Sequence, residues 1–343
     1  MEERSGPSTI VDVAKAAGVS VATVSRALRG LDRVSPDTRE KVRRVAEELH
    51  YVASPTATSL ASGRTRIVGV VVPFVSRWYF AAMVSAIGKS LRERGYQVLL
   101  FDLEREVFDR RLALTRSMLW KRVDGVISIN IPMTDEELEL LGGLHVPVVS
   151  VGYPLDGRCS VGIDDAEAAR TAAEHVLDLG HREIAYVGAV MDTAALVETP
   201  RSRLSAALEA MAGRGVRPPE HWVLRTDWTA ENARDRARAL FDAARIPSAV
   251  VCGSDEIAFG VHMAARERDL RVPHDVSVIG IDDHPLARLF SLTTVRQDLV
   301  LQAERAVGLL LDELGDPSSG PGGQPHFVIG TELVLRSSTA PPA

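Results

Sequence analysis

Cysteine is nearly absent. Cys159 and Cys252 are the two in 343 residues, and neither sits in a metal or redox spacing. That excludes a disulfide-stapled secreted scaffold and a cysteine-ligated zinc centre, and it fits a reducing compartment with both thiols as small buried apolar groups. No apolar run is long enough to cross a bilayer, and Met1-Glu2-Glu3-Arg4 lacks the basic start and apolar core of an export signal. The expectation is therefore a cytoplasmic protein with no membrane partner. Phosphate-cradling glycines are missing too. No G-x-G-x-x-G follows any candidate strand, Val68-Gly-Val-Val-Val-Pro73 has a single glycine, and no lysine-bearing phosphate loop or G-x-S-x-G elbow occurs. Nucleotide-dependent oxidoreductases and elbow-type hydrolases are thereby disfavoured. Asp282-Asp283-His284 and Asp164-Asp165 are acidic pairs without further spaced ligands, so neither a metal nor any other cofactor is expected, and no catalytic residue is assigned.

What the chain does contain is an asymmetry. Overall charge is −6, yet residues 1–66 hold 11 Lys/Arg against 8 Asp/Glu. A mildly basic head on an acidic body is the distribution expected where one end meets phosphate. Within that head, Thr9 caps a helix Ile10–Ala17, Gly18 allows a left-handed stop, and Ser20 caps a second helix Val21–Leu28. Two short helices about a tight glycine turn make a helix-turn-helix, whose second helix enters the major groove by its N-terminal end. Ser35 with Pro36 then starts a third helix reaching Leu49, with Val42, Val45, Ala46 and Leu49 on one face.

Thr9-Ile-Val-Asp-Val-Ala-Lys-Ala-Ala-Gly-Val-Ser-Val-Ala-Thr-Val-Ser-Arg-Ala-Leu28, then Val34-Ser-Pro-Asp-Thr-Arg-Glu-Lys-Val42 and Leu49-His-Tyr51, closely resemble the head of the lactose/galactose repressor (LacI/GalR) family. The resemblance places Val21 and Ala22 at base-reading positions, where apolar side chains can touch a thymine methyl. Arg26, one turn on, suits a bidentate bond to guanine, with phosphate contact as its alternative. Thr9, Ser20, Thr23 and Ser25 offer hydroxyls and helix N-terminal amides to phosphate, with Lys15 and Arg33 as further phosphate candidates or plain surface charges. Between residues 54 and 66 a short segment capped by Ser54 and Pro55 is too short to hold as a helix alone in water. The resemblance makes it a hinge whose Ala57 and Leu60 meet the minor groove, Leu60 as an apolar wedge.

From Ile67 short apolar runs alternate with amphipathic ones. Strands are expected at Ile67–Val72, Gln97–Phe101, Gly125–Ile129, Val146–Val151, Ile184–Val187, Ala249–Cys252 and Val276–Ile281, with helices between, including Asp109–Lys121. Such alternation implies an α/β body of parallel, doubly wound sheets, and about seven units favour two lobes over one. Glu174 to Ala185, Val272 to Asp283 and Leu292-Thr-Thr-Val-Arg-Gln297 resemble the same family's regulatory domain, which has the periplasmic-binding-protein fold. The expected organisation is a helix-turn-helix domain at 1–53, a hinge at 54–66 and a sensing and dimerising body at 67–343. The first lobe would take about 67–162 and 295–325, the second about 163–294 and 326–343.

By resemblance the ligand site draws on Arg203, Asp282 and the covering ring of Trp228, with Phe74, Trp78 and Tyr79 from the loop after the first strand, and Ser254. Trp228 has a rival reading as a partly buried loop anchor, Arg203 as a surface ion pair and Asp282 as a cap or structural acceptor. Arg77-Trp78 stands where relatives carry asparagine-proline and Ser254 replaces an asparagine, which leaves an unusual or acidic ligand open. The implied protein is a homodimeric repressor at the nucleoid, binding palindromic double-stranded operator DNA and a small effector, a sugar or sugar derivative.

Overall fold

A computed structural model of the chain describes residues 8–29, 32–52, 63–104, 112–189, 198–315 and 326–343. The hinge residues Ser54, Pro55, Ala57 and Leu60 fall outside these. The chain divides into two compact units, Met1–Thr65 and Arg66–Ala343.

The first unit is three helices, α1 (Ile10–Ala17), α2 (Val21–Leu28) and α3 (Pro36–Glu48). Thr9 and Asp12 form a reciprocal capping box, and Gly18 at φ 66° closes α1 through amide bonds to the Ala14 and Lys15 carbonyls. Ser20 and Ser35 accept from the Thr23 and Thr38 amides. Each helix is thus started and stopped by its own local chemistry. Their shared faces bury Val13, Ala17, Val24, Ala27, Val42 and Ala46, with Ile10, Leu28, Leu49 and Tyr51 around the edge.

The second unit is two lobes of one design. In the first lobe, β1 (Ile67–Val72), α4 (Trp78–Glu93), β2 (Gln97–Asp102), α5 (Arg116–Leu119), β3 (Gly125–Ile129), α6 (Asp135–Gly143), β4 (Val148–Val151) and β5 (Ser160–Gly162) follow in order. The second lobe repeats the pattern with α7 (Asp165–Asp178), β6 (Ile184–Ala189), α8 (Glu198–Gly213), β7 (Val223–Thr226), α9 (Ala230–Phe241), β8 (Ala249–Cys252), α10 (Asp255–Arg266), β9 (Ser277–Asp282) and β10 (Thr293–Gln297). Then come α11 (Leu299–Gly315), β11 (His326–Val328) and β12 (Thr331–Val334). The sheets run β2-β1-β3-β4-β5-β11 and β7-β6-β8-β9-β10-β12, parallel except for β12 against β10. Apolar layers lie on both faces of each sheet, which explains strands such as Ile-Val-Gly-Val-Val-Val with no alternation. Both cysteines are buried and free.

The lobe boundaries differ from the expectation. Strand β10 pairs with β9, Thr293 opposite Ile279, so the second lobe continues through Gln297. Strand β11 pairs with β5 and places His326–Val328 in the first lobe. The chain crosses between lobes after β5, after β10 and after β11. Helix α6 and strands β5, β7, β10, β11 and β12 go beyond the expected elements; these strands are three to five residues long. Of the helix expected at Asp109–Lys121, residues 112–121 are described, and only the single turn α5 among them is helical.

Candidate effector cleft and DNA-reading head

In the head, the exposed face of α2 carries Val21, Ala22 and Arg26, while Val24 and Ala27 turn inward. A helix N-terminus presenting two apolar side chains and one guanidinium a turn later can enter a major groove and read a methyl and a guanine. Ser20 and Thr23 are hydrogen-bonded to one another at 2.8 Å and cap the helix, so these hydroxyls position α2 as well as facing solvent. Thr9, Lys15 and Arg33 are exposed and Ser25 is half-buried.

In the body, the two matching strand orders bring the carboxyl ends of both sheets toward each other, at the point where such folds bind ligands. A cleft of about 880 Å³, counting its open mouth, lies there. The first lobe lines it with Phe74, Arg77, Tyr79, Asn130 and Tyr153, the second with Asp165, Arg203, Trp228, Ser254, Glu256 and Asp282. Gln297 and Gln302 line it beside the second crossover. Asn130, Trp228 and Asp282 have positive φ, at 51°, 72° and 129°, and Asp283 follows at 56°. For non-glycine residues these are strained backbones, and strain of this kind concentrates at functional sites. Arg336 holds Asp283 in place by a 2.6 Å bond.

The centre of the cleft is Arg203, only 5% exposed. Its Nε donates to Asp165 Oδ1 at 2.8 Å, a terminal nitrogen reaches the same oxygen at 2.7 Å, and another donates to the Gly253 carbonyl at 2.7 Å. Asp282 Oδ1 lies 3.7 Å from that last nitrogen and accepts from Gln297 Nε2 at 2.6 Å, while Gln302 Nε2 donates to Gln297 Oε1 at 3.2 Å. Burial alone would weaken the Arg203 charge, but Asp165 and Asp282 hold it firmly protonated. Burial pushes the Asp282 carboxyl upward against the pull of Arg203 and Gln297. Burial likewise raises Glu256 to about 7, with Asp282 adding to the rise and Arg77 opposing it. Trp228 lies 6.0 Å from the Arg203 guanidinium and covers it.

Phe74, Tyr79, Arg203, Trp228, Ser254 and Asp282 therefore converge on one cleft. Ser254 does so as the cap of α10, accepting from the Ile257 amide. Trp78 does not line the cleft. Its ring packs on His284, centroids 4.5 Å apart. Asp165, Glu256, Gln297 and Gln302 carry no ligand signal in the sequence, and Arg77 shows there only as a departure from the relatives' asparagine. Asp165 is visible there only as half of an acidic pair, and the partner that gives it meaning lies 38 positions away. Close to this cluster, Asp255 is fully buried, accepting from the Thr294 hydroxyl and the His284 amide, and it ties β9 to β10.

A helix-turn-helix unit joined to a two-lobed ligand-binding body defines a DNA-binding transcriptional regulator. Residues 9–54 match the bacterial regulatory proteins of the lacI family, and residues 173–339 match the periplasmic binding protein-like domain. The HTH-type transcriptional repressor PurR of Glaesserella parasuis serovar 5 is 30% identical over 96% of this chain and 98% of its own length. Among solved structures, the Lac repressor dimer bound to operator and the anti-inducer ONPF is similar with a TM-score of 0.82, at 26% identity over 98% of this chain and all of that one. The transcriptional regulator CelR–cellobiose complex has a TM-score of 0.68 at 29% identity, over 96% of this chain and 99% of that one. The chain belongs to the lacI family of bacterial regulatory proteins.

Proposed function

We propose that this chain is a repressor, not an enzyme, that binds a palindromic operator as a homodimer and answers to a neutral polyhydroxylated effector of the sugar class. The observation that carries the effector class is the commitment of Arg203. Three of its five N–H donors go to Asp165 and Gly253, and Asp282 and Glu256 stand beside it as acceptors under the rings of Trp228, Phe74 and Tyr79. Rings for C–H faces and carboxylates for hydroxyls suit a sugar, whereas an anionic ligand would meet Asp165, Asp282 and Glu256, with Arg203 already paired and the half-buried Arg77 as the other lining cation among the described residues. The acidic ligand left open by the sequence is thus disfavoured.

One head reads too few bases for specificity, so paired heads on a two-fold site are required. The Lac repressor relative is described as a dimer on operator, and CelR as bound to cellobiose. Val21, Ala22 and Arg26 read bases, and Thr9, Lys15, Ser20, Thr23, Ser25 and Arg33 position the helix on phosphate. Leu60 of the hinge bends the duplex, and Ala57 contacts it. The site of action is the cytoplasm, at the nucleoid.

The test is selection of bound duplexes from a random pool by the full chain, repeated with neutral sugars, cellobiose among them, and with sugar phosphates and uronates. Enrichment of a palindrome, and a shift in its affinity of about 5- to 150-fold with a neutral sugar, are expected. Absence of any preference among duplexes in moderate salt would end the repressor reading. A response to the anionic compounds alone would end the neutral-effector reading.

A further inference from the structure

The turn entering α4 lines the cleft with Arg77 and, one residue on, reaches across to the opposite lobe. Trp78, first residue of α4 in the first lobe, packs its ring on His284, which follows β9 in the second lobe, at 4.5 Å and an interplanar angle of 50°. His284 is held rigidly for this. It is 9% exposed, its amide donates to Asp255 Oδ2 at 2.8 Å, and its Nδ1 accepts from the Leu286 amide at 2.9 Å. Phe259 of α10 buttresses it edge-on at 5.3 Å, with Phe290 stacked behind at 4.6 Å. Beside Trp78, Arg77 lines the cleft and its charge acts on Asp227 and Glu256 of the second lobe. One dipeptide of the first lobe therefore meets a buttressed aromatic shelf and two carboxylates of the second.

We infer that Trp78 and His284 are positioning residues, a clasp that holds the lobes closed and sets effector affinity without touching the effector. Lobe closure needs contacts that exist only when the lobes approach, and a ring pair contributed half by each lobe is such a contact. The Asp255 carboxylate that fixes the His284 amide also binds Thr294 on β10, so the shelf is anchored to the strand that leads into the second crossover. The clasp is independent of what the effector is, so its failure and the failure of the sugar reading are separable.

The experiment measures lobe separation in the full chain without effector. Ser85→Cys on α4 and Arg236→Cys on α9 place spin labels at exposed positions of the two lobes, and the native cysteines are buried. Labelled protein is diluted into excess unlabelled protein so that distances within one chain are read. Aromatic pairs are worth about 0.5–1.5 kcal/mol, so Trp78→Ala should raise the open-to-closed ratio about 2- to 12-fold. His284→Asn, which can still accept from the Leu286 amide, should do the same. Trp78→Phe should restore most of the closed population, and Trp78→Ala with His284→Asn should open the lobes no further than either alone. Unchanged distances in both single variants, additive effects in the double, or no rescue by phenylalanine would overturn the inference. Should one single variant prove too unstable to label, the other decides the question alone, by opening the lobes or leaving them closed.

Discussion

Removing the Arg203 guanidinium tests whether the cleft is built on a neutralised charge. In Arg203→Met the stem is roughly preserved while the bonds at 2.8, 2.7 and 2.7 Å are lost. Asp165, the Gly253 carbonyl and Asp282 then face one another with no counter-charge. Breaking a buried pair from one side costs about 3–5 kcal/mol, because the surviving charge is left unpaired. With a urea slope of about 3 kcal/mol per molar for a unit of this size, the midpoint should fall by roughly 1–2 M. The loss should also depend on pH, with a definite sign. Arg203 pulls the Asp282 carboxyl down against burial, so without it the folded value climbs further above the unfolded value near 3.9. A group raised on folding favours the folded state below its unfolded value and loses that contribution as pH rises through its folded value. The deficit should therefore be full at pH 7.5 and shrink as pH falls toward 4. A midpoint within about 0.3 M of wild type, or a deficit that grows on acidification, would refute the view of Arg203 as a structural cation committed to its neighbours.

Three other outcomes are expected. Arg26→Ala should lower affinity for the selected operator by about 5- to 160-fold, the loss of roughly 1–3 kcal/mol of base discrimination, with random-sequence binding changed much less; fluorescence anisotropy on both duplexes checks this. Glu256→Gln should gain in melting temperature relative to wild type as pH rises from 5 to 8. Burial raises this carboxyl from 4.5 to about 7, so its stabilising protonation is complete below about 4.5 and vanishes through 7. Gly280→Ala should cost about 1–3 kcal/mol in urea unfolding, since a Cβ there would lie 2.1 Å from Asp255 Oδ1 and 3.1 Å from its Cα. Gly308→Ala on α11, where nothing lies within 4 Å, serves as the control and should be neutral or stabilising.

How far the sequence can be read varies with the range of the interactions involved. The head is legible almost to the residue, because Thr9, Gly18, Ser20, Ser35 and Pro36 act on amides and carbonyls within four positions of themselves. The long body strands are legible because burial on both faces writes them as uninterrupted apolar runs. Among the cleft residues, Arg203, Asp282 and Trp228 can be named from resemblance but not given their partners. Trp78 shows the limit most clearly. A tryptophan in a loop beside a binding site reads as a ligand contact, and nothing near it in sequence points to His284, more than 200 positions on.

The sequence by itself determined that three capped helices precede a doubly wound α/β body and that the chain is a regulator of the lacI family. Those facts follow from local hydrogen bonding, from the burial period and from motifs that lie in one stretch of chain. Only the tertiary structure decided which lobe receives β10 and β11, and that the cleft's arginine is already neutralised. It alone packed Trp78 against His284 of the facing lobe. Each of these depends on pairing between segments that parallel crossovers bring together from far apart, and the linear order carries no record of that distance.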